Sequence, residues 1–154
     1  MAIDYDEPVL RFPLSRIIQT DGDGKCFAAC VASILGMHFE DVPNFCAMPP
    51  DWWNRFQIWL CQRGLFAVEI KLIEHSISQL PHGIPVILSG KSPRGLLHSV
   101  VALTAAADGF TLEHDPHPSG EFFGGAEPTE ALFIVRHPLG QIGTSPIEPS
   151  HSKR

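Results

Sequence analysis

The chain has 154 residues, of which 44% are hydrophobic and 18% are charged. This length and mixture are typical of one globular domain, which buries roughly 70% of the surface its unfolded chain exposes. Eleven basic residues against seventeen acidic ones give a formal charge of −6, and lysine and arginine form no cluster. We therefore expect no nucleic-acid partner, because protein surfaces that bind the phosphate backbone need an excess or a stripe of basic residues.

The N-terminus also bears on location. Residues 1–7 contain three acidic side chains and no basic one, and they lack the basic-then-apolar layout of a signal peptide. No apolar run approaches the roughly 18 residues of a transmembrane helix. These features predict a cytoplasmic protein with no membrane association.

In that compartment the cysteines are expected to be reduced rather than paired. Their spacing contains no C-x2-C knuckle, which disfavours a structural zinc site. The four cysteines are Cys26, Cys30, Cys46 and Cys61.

The residue pattern in the first half of the chain predicts helices. Residues 1–15 read as an irregular lead-in, and residues 19–25 as a turn-rich loop. Residues 26–36 are rich in alanine, contain no proline and end at a glycine suited to a helix C-terminus. Apolar residues lie on nearly every face of this segment, so we expect a central, buried helix.

A second helix is predicted to begin at the N-cap Asp51 and to run to Gly64. Aromatic and apolar residues recur along one face of it, a pattern more typical of core packing than of a binding site. The residues of this stripe are Trp52, Phe56, Trp59 and Leu60.

In the second half of the chain the hydrophobic pattern changes from the period of a helix to the period of a strand. Residues 67–72 alternate apolar and polar side chains, as a half-buried strand does. Four further short strands are predicted at residues 85–89, 98–103, 110–114 and 131–135. Helices followed by strands indicate an α+β domain with a mostly antiparallel sheet over residues 1–137. Residues 138–154 are rich in Pro, Ser and Gly and are predicted to form a disordered tail.

Cys26 is the first candidate for chemistry. It lies at the first turn of the predicted buried helix, directly after a glycine-rich loop. The free N–H groups and the dipole at a helix N-terminus favour an anion, and therefore the thiolate over the thiol. The position of Cys26 alone is equally compatible with a small residue packed in the core, which is the role of most free cysteines. Cys30, one turn further on, is expected to be core.

His98 is the best-placed base for such a thiolate, because it opens an apolar strand after a glycine-containing loop. The strands 98–103 and 110–114 are expected to form a hairpin. If the loop between them has an even number of residues, Asp115 projects from the same face as His98. A loop of four to six residues then brings this carboxylate close enough to orient the imidazole.

Gln19 lies seven residues before Cys26. Its side-chain amide is suited to stabilise an oxyanion together with the Cys26 backbone N–H. In this order, Gln19, Cys26, His98 and Asp115 resemble the papain-like cysteine hydrolases, and most closely the bacteriocin-processing peptidases that cleave double-glycine leaders. That family also shares the domain length and an Asp-Pro pair, here Asp115-Pro116.

The resemblance covers approximately residues 15–136. It implies a papain-like fold, in which a helix carrying the nucleophile packs on the sheet, and attack of Cys26 on a carbonyl carbon. The chain departs from the family at Lys25-Cys26-Phe27, where those peptidases carry Cys-Gly after an Asp. Residues 23–27, Asp-Gly-Lys-Cys-Phe, also resemble the nucleophile motif of ovarian-tumour-type deubiquitinases.

Two metal-binding alternatives are disfavoured. Residues 21–24 look like the start of a calcium loop, but the twelfth position is Ala32, which cannot supply the bidentate carboxylate. The segment His114-Asp115-Pro116-His117 could chelate a metal with His98, although the thiol interpretation explains more of the pattern. No metal or cofactor is therefore expected.

The prediction is a cysteine hydrolase acting on a peptide, isopeptide or amide bond of a peptide or protein substrate. Cys26 is the expected nucleophile, His98 the base and then acid, Asp115 the orienting carboxylate and Gln19 the oxyanion donor. Residues expected to contact substrate are Gly24, Lys25, Gly95 and Leu97. Hydrolysis, deamidation and acyl transfer share a thioester intermediate, so all three are open at this point.

A rival hypothesis is a catalytically idle papain-like module that binds a peptide or protein, with Trp52 and Trp53 exposed as anchors. The basic residues Lys91 and Arg94, in the loop before His98, suit an acidic or carboxylate-bearing substrate, and a solvated loop explains them equally well.

Overall fold

The computed structural model describes residues 24–73, 80–105 and 109–138. These residues form two helices and a five-stranded sheet, so the predicted α+β class is confirmed. The helices are α1 (Cys26–Leu35) and α2 (Trp52–Cys61); the strands are β1 (Leu65–Lys71), β2 (Pro85–Lys91), β3 (Leu97–Thr104), β4 (Phe110–His114) and β5 (Glu130–Arg136). The predicted lead-in, Gln19 and the tail from residue 139 lie outside the described residues.

Helix α1 is buried along nearly its whole length, as its composition predicts. Every residue from Cys26 to Ile34 is buried, and most of them are small enough to let neighbouring elements approach the helix closely. The helix ends at Gly36, whose left-handed backbone (φ 68°) directs its N–H to the Ala32 carbonyl. Glycine adopts this conformation without the steric cost a Cβ would add.

Helix α2 packs its predicted stripe against the same core. Phe56 and Leu60 are fully buried, and Trp52 and Trp59 are partly buried against them. Asp51 occupies the N-cap position, but its side chain makes no capping hydrogen bond. Instead its carboxylate accepts a hydrogen bond from the Arg55 guanidinium at 3.1 Å, a typical i, i+4 pair.

The sheet has the order β1-β5-β2-β3-β4, and its strand pairs are antiparallel. One face packs on the helices through residues such as Ile87 and Val101. The other face, which includes Val100 and Ala102, is covered by Phe123 of the loop between β4 and β5, residues 115–129, here called the β4–β5 loop. Among the described residues, no helix combines the length and apolar character needed to cross a membrane.

Candidate active site

Cys26 is the first residue of α1. The chain enters the helix through Gly24, which has a left-handed backbone (φ 101°), and Lys25. Cys26 is buried, with 6% of its surface exposed. Cys26 thus belongs to the first turn, whose N–H groups lack intrahelical acceptors and favour negative charge.

The His98 ring connects Cys26 to Asp115. Its Nδ1 lies 3.1 Å from the Cys26 sulfur, and its Nε2 lies 2.7 Å from an Asp115 carboxylate oxygen. A carboxylate only accepts hydrogen bonds, so Nε2 carries the proton that it donates to Asp115. In the neutral ring, Nδ1 then presents its lone pair to the thiol, as a general base requires.

His98 reaches the helix because of its place in the sheet. It is the second residue of β3 and alternates with Val100 and Ala102, on the face that the β4–β5 loop covers. Its position at the end of the strand lets the ring contact Cys26, although α1 packs on the other face.

A β-bulge brings Asp115 to His98, by a route that the sequence analysis did not predict. Thr104 pairs with Phe110, so the hairpin loop is residues 105–109, an odd number. With regular pairing Asp115 would face away from His98. However, Ala102 pairs with Leu112 while Val101 pairs with His114. Glu113 is thus an extra residue, and the bulge turns every following side chain to the other face.

Three hydrogen bonds hold the Asp115 carboxylate, which is 7% exposed. One oxygen accepts from His98 Nε2 at 2.7 Å and from the His117 backbone N–H at 2.9 Å. The other accepts from the Phe122 backbone N–H at 2.7 Å. Both oxygens are therefore fixed in position, and the buried carboxylate is stabilised by the donors that surround it.

Aromatic rings enclose the imidazole. The ring of Phe123 lies edge-on to His98, with centroids 6.3 Å apart, and that of His117 lies 6.2 Å away. Gly90, directly opposite His98 in the sheet, makes this packing possible. A Cβ at Gly90 would lie 3.1 Å from the Pro128 Cα and 3.4 Å from the Phe123 ring. His98 is accordingly 2% exposed.

The predicted substrate-contacting residues are chain neighbours of Cys26 and His98. Gly24 and Lys25 immediately precede Cys26, and Gly95 and Leu97 lie in the segment that leads to His98. Leu97 is 74% exposed, which is high for a large apolar side chain. Gln19 lies outside the described residues, so the predicted oxyanion donor is not placed.

The structure bears on two further expectations about charge and exposure. The Arg94 guanidinium lies 3.5 Å from the Glu121 carboxylate and donates to the Ser119 hydroxyl, so it has partners within the protein. Trp52 and Trp53 are half-buried, and they pack on each other and on the Phe27 and Phe56 rings. They are therefore not the exposed anchors that the binding-module hypothesis expects.

The remaining thiols differ from Cys26 in their surroundings. All four cysteines are free. Cys30 is completely buried, as predicted for a core residue. Burial, and then the nearby negative charges of Cys26 and Asp115, raise the pKa of the Cys30 thiol well above its usual value. Cys46 is exposed and Cys61 partly so.

The β4–β5 loop contributes groups that the sequence analysis missed: the backbone N–H groups of His117 and Phe122, and the Phe123 ring. Backbone donors have no residue-type signature, so no sequence pattern identifies the first two. Within the described residues, no three His, Cys, Asp or Glu side chains are grouped to hold a metal ion.

The arrangement can move a proton. A buried carboxylate orients an imidazole whose free nitrogen faces a thiol at a helix N-terminus, and each contact is of hydrogen-bond length. Such a series can convert the thiol to a thiolate and later return the proton to a leaving group. Comparisons with family models, curated proteins and solved structures find no match to this chain.

Proposed function

We propose that this protein is a papain-like cysteine hydrolase that cleaves a peptide, isopeptide or amide bond. The observation that carries the proposal is the unbroken series Cys26–His98–Asp115, with contacts of 3.1 and 2.7 Å. Nucleophile, base and orienting group come from a helix N-terminus, a strand and a hairpin end, as the resemblance to papain-like enzymes implies. The free thiols suit the reducing cytoplasm, where we place the reaction.

The acylation half begins with proton transfer from the Cys26 sulfur to His98 Nδ1. The thiolate attacks the substrate carbonyl carbon and forms a tetrahedral intermediate, whose oxyanion is stabilised by the Cys26 backbone N–H and the Gln19 side chain. When the C–N bond breaks, His98 donates the proton from Nδ1 to the leaving nitrogen. The acyl group is then joined to Cys26 as a thioester.

The deacylation half uses the same imidazole as a base. Water transfers a proton to His98 Nδ1 as its oxygen attacks the thioester carbon, and collapse of the intermediate releases a carboxylic acid. The proton returns to the Cys26 sulfur. Throughout, Asp115 holds the ring through Nε2 and stabilises the imidazolium form, so it does not need to take the proton itself.

The arrangement favours an enzyme over an idle binding module. A buried carboxylate and imidazole cost desolvation energy that apolar residues would avoid, and a binding module gains nothing from aligning them on a thiol. In addition, Trp52 and Trp53 are half-buried against Phe27 and Phe56 rather than exposed for a partner.

The proposed reaction is tested by searching for products. The wild-type protein is incubated with a peptide library or a cell lysate, and new termini are identified by mass spectrometry. Cys26→Ala is expected to reduce their formation by at least about a thousandfold, because the thioester can no longer form. The matched control Cys46→Ala removes an exposed thiol and is expected to retain activity. Products formed equally by Cys26→Ala would contradict the proposal.

We further propose that Leu97 contacts an apolar group of the substrate. It directly precedes His98, and strand alternation puts it on the Val101 side of the sheet, where α1 packs. Its 74% exposure leaves its side chain available for a ligand. Gly24, Lys25 and Gly95 are proposed to border the substrate main chain, since two of them are glycines with left-handed backbones and no bulky side chain.

Alkylation with two reagents tests the Leu97 contact without a known substrate. N-hexyliodoacetamide is expected to label Cys26 about fivefold faster than iodoacetamide, because burying one or two methylene groups gives a gain of that size. Leu97→Asp is expected to abolish this preference. Leu112→Asp is the matched control, since Leu112 is also exposed (43%) but lies in β4. An unchanged preference in Leu97→Asp would exclude the contact.

A further inference from the structure

The turn between β2 and β3 packs tightly against the β4–β5 loop at Gly124. A Cβ at Gly124 would lie only 2.5 Å from the Pro93 Cγ, a separation that real side chains do not show. Gly124 also has a left-handed backbone (φ 62°). Glycine is therefore required here for two reasons, its conformation and the close approach of Pro93.

An ionic contact joins the same two segments. The Arg94 guanidinium lies 3.5 Å from the Glu121 carboxylate and donates to the Ser119 hydroxyl at 3.3 Å. The clamp, as we call it, consists of Pro93 and Arg94 on the β2–β3 turn and Glu121 and Gly124 on the β4–β5 loop.

The two loop residues of the clamp, Glu121 and Gly124, lie on either side of Phe122, whose N–H holds Asp115. The Gly124 N–H donates to the Glu121 carbonyl at 2.9 Å, which closes a turn around Phe122 and Phe123. Within this turn Phe122 has a positive φ of 53°, the one non-glycine residue with this feature among those described. A bulky residue in this conformation is strained. In this conformation its N–H donates to Asp115 at 2.7 Å.

We propose that the clamp positions the Asp115 carboxylate for its work on His98, so that Pro93, Arg94 and Gly124 are positioning residues of the active site. The inference rests on the proposed function. The strain at Phe122 persists because both ends of its turn are anchored to the β2–β3 turn. If either anchor is lost, the Phe122 N–H moves from Asp115 and the carboxylate no longer holds the ring.

Two glycines of the loop provide a matched test. Gly124→Ala adds both backbone strain and a clash with Pro93, whereas Gly120→Ala adds strain alone, since Gly120 has a φ of 66° and open space around its Cβ position. Gly124→Ala is expected to slow iodoacetamide labelling of Cys26 at pH 6 by about tenfold relative to Gly120→Ala. The low-field proton resonance of His98 Nε2–H is expected to be lost only in Gly124→Ala.

Removing the clash should restore the site. Pro93→Ala deletes the Cγ, which causes the clash, and leaves a Cβ at 3.4 Å from the added methyl group. This is ordinary contact, so the two segments still touch and the anchor at this end of the turn is kept. The double variant Pro93→Ala/Gly124→Ala is therefore expected to regain the labelling rate and the resonance of Gly120→Ala. A double variant as slow as Gly124→Ala, or equal rates in the two glycine variants, would overturn the proposal.

A second pair of variants covers the case in which Gly124→Ala does not fold. Arg94→Ala removes the ionic anchor, while Arg55→Ala removes the exposed Arg55–Asp51 pair in α2 and serves as control. Slower labelling in Arg94→Ala alone supports the clamp, and equal rates contradict it. Failure of the proposed function gives a result distinct from failure of the clamp, because Cys26 of the wild-type protein would then react no faster than in His98→Ala.

Discussion

His98→Ala is expected to slow alkylation of Cys26 by iodoacetamide at pH 6 by about a hundredfold. In the wild-type protein the imidazole faces the sulfur at 3.1 Å, so under the proposed function it takes the thiol proton and stabilises the thiolate. Without it, a thiol of ordinary pKa, roughly 8.5, is ionised to only about 0.3% at this pH. The lower intrinsic reactivity of a stabilised thiolate offsets part of the gain, which is why the expected factor does not exceed a hundredfold.

The other cysteines are internal references for this measurement. Cys46 is exposed, although partial burial of its thiol raises its pKa, and it is remote from His98 in sequence and in hydrogen bonding, so its labelling rate should not change in His98→Ala. Cys30 is expected to stay unlabelled in both proteins, because burial and the nearby negative charges raise its pKa. Peptide mass spectrometry separates the three rates. Equal rates at Cys26 and Cys46, or no effect of His98→Ala on Cys26, would leave the binding-module hypothesis.

Asp115→Ala is expected to cost about 3 kcal/mol or more of folding free energy, besides slowing Cys26 labelling. The substitution leaves three donors without their acceptor: His98 Nε2–H and the backbone N–H groups of His117 and Phe122. A buried donor without a partner costs about 1–3 kcal/mol. Asp115→Asn retains one acceptor oxygen but turns an amide N–H₂ toward a donor, so an intermediate loss is expected.

Urea denaturation measures these losses, with Asp41→Ala as the control, since Asp41 is an exposed acid in a short 3₁₀ turn. The control is expected to change the free energy of unfolding by less than about 0.5 kcal/mol. Asp115→Ala as stable as the control would show that the three hydrogen bonds are not maintained in solution. Normal Cys26 labelling in a folded Asp115→Ala protein would remove Asp115 from the proposed mechanism.

Much of the fold could be predicted without the structure. The two helices, the strand positions and the stripe of α2 follow from periodicity and turn residues, which act over a few neighbouring positions. The observed helix α1 begins at Cys26, and strand β4 has the predicted bounds. Cys26 and His98 could be selected as candidates because a thiol at a helix start and an imidazole at a strand start are local signals.

The position of Asp115 could not be derived this way. Regular strand pairing brings Asp115 to His98 only if the hairpin loop has an even number of residues, but the loop is odd and the contact forms through the bulge at Glu113. A bulge has no fixed residue signature here, and the carboxylate that it turns toward His98 is held by three donors. Two of those donors are backbone groups from a loop up to seven residues away.

The sequence by itself thus determined the elements, their burial and the identity of the reactive side chains, because propensity, periodicity and chemistry belong to individual residues and short segments. Only the tertiary structure decided how those side chains face one another. The register of β3 with β4, the pairing of Arg94 with Glu121 and the contact of Pro93 with Gly124 depend on segments that meet through folding, so their energies appear only once the whole core has formed.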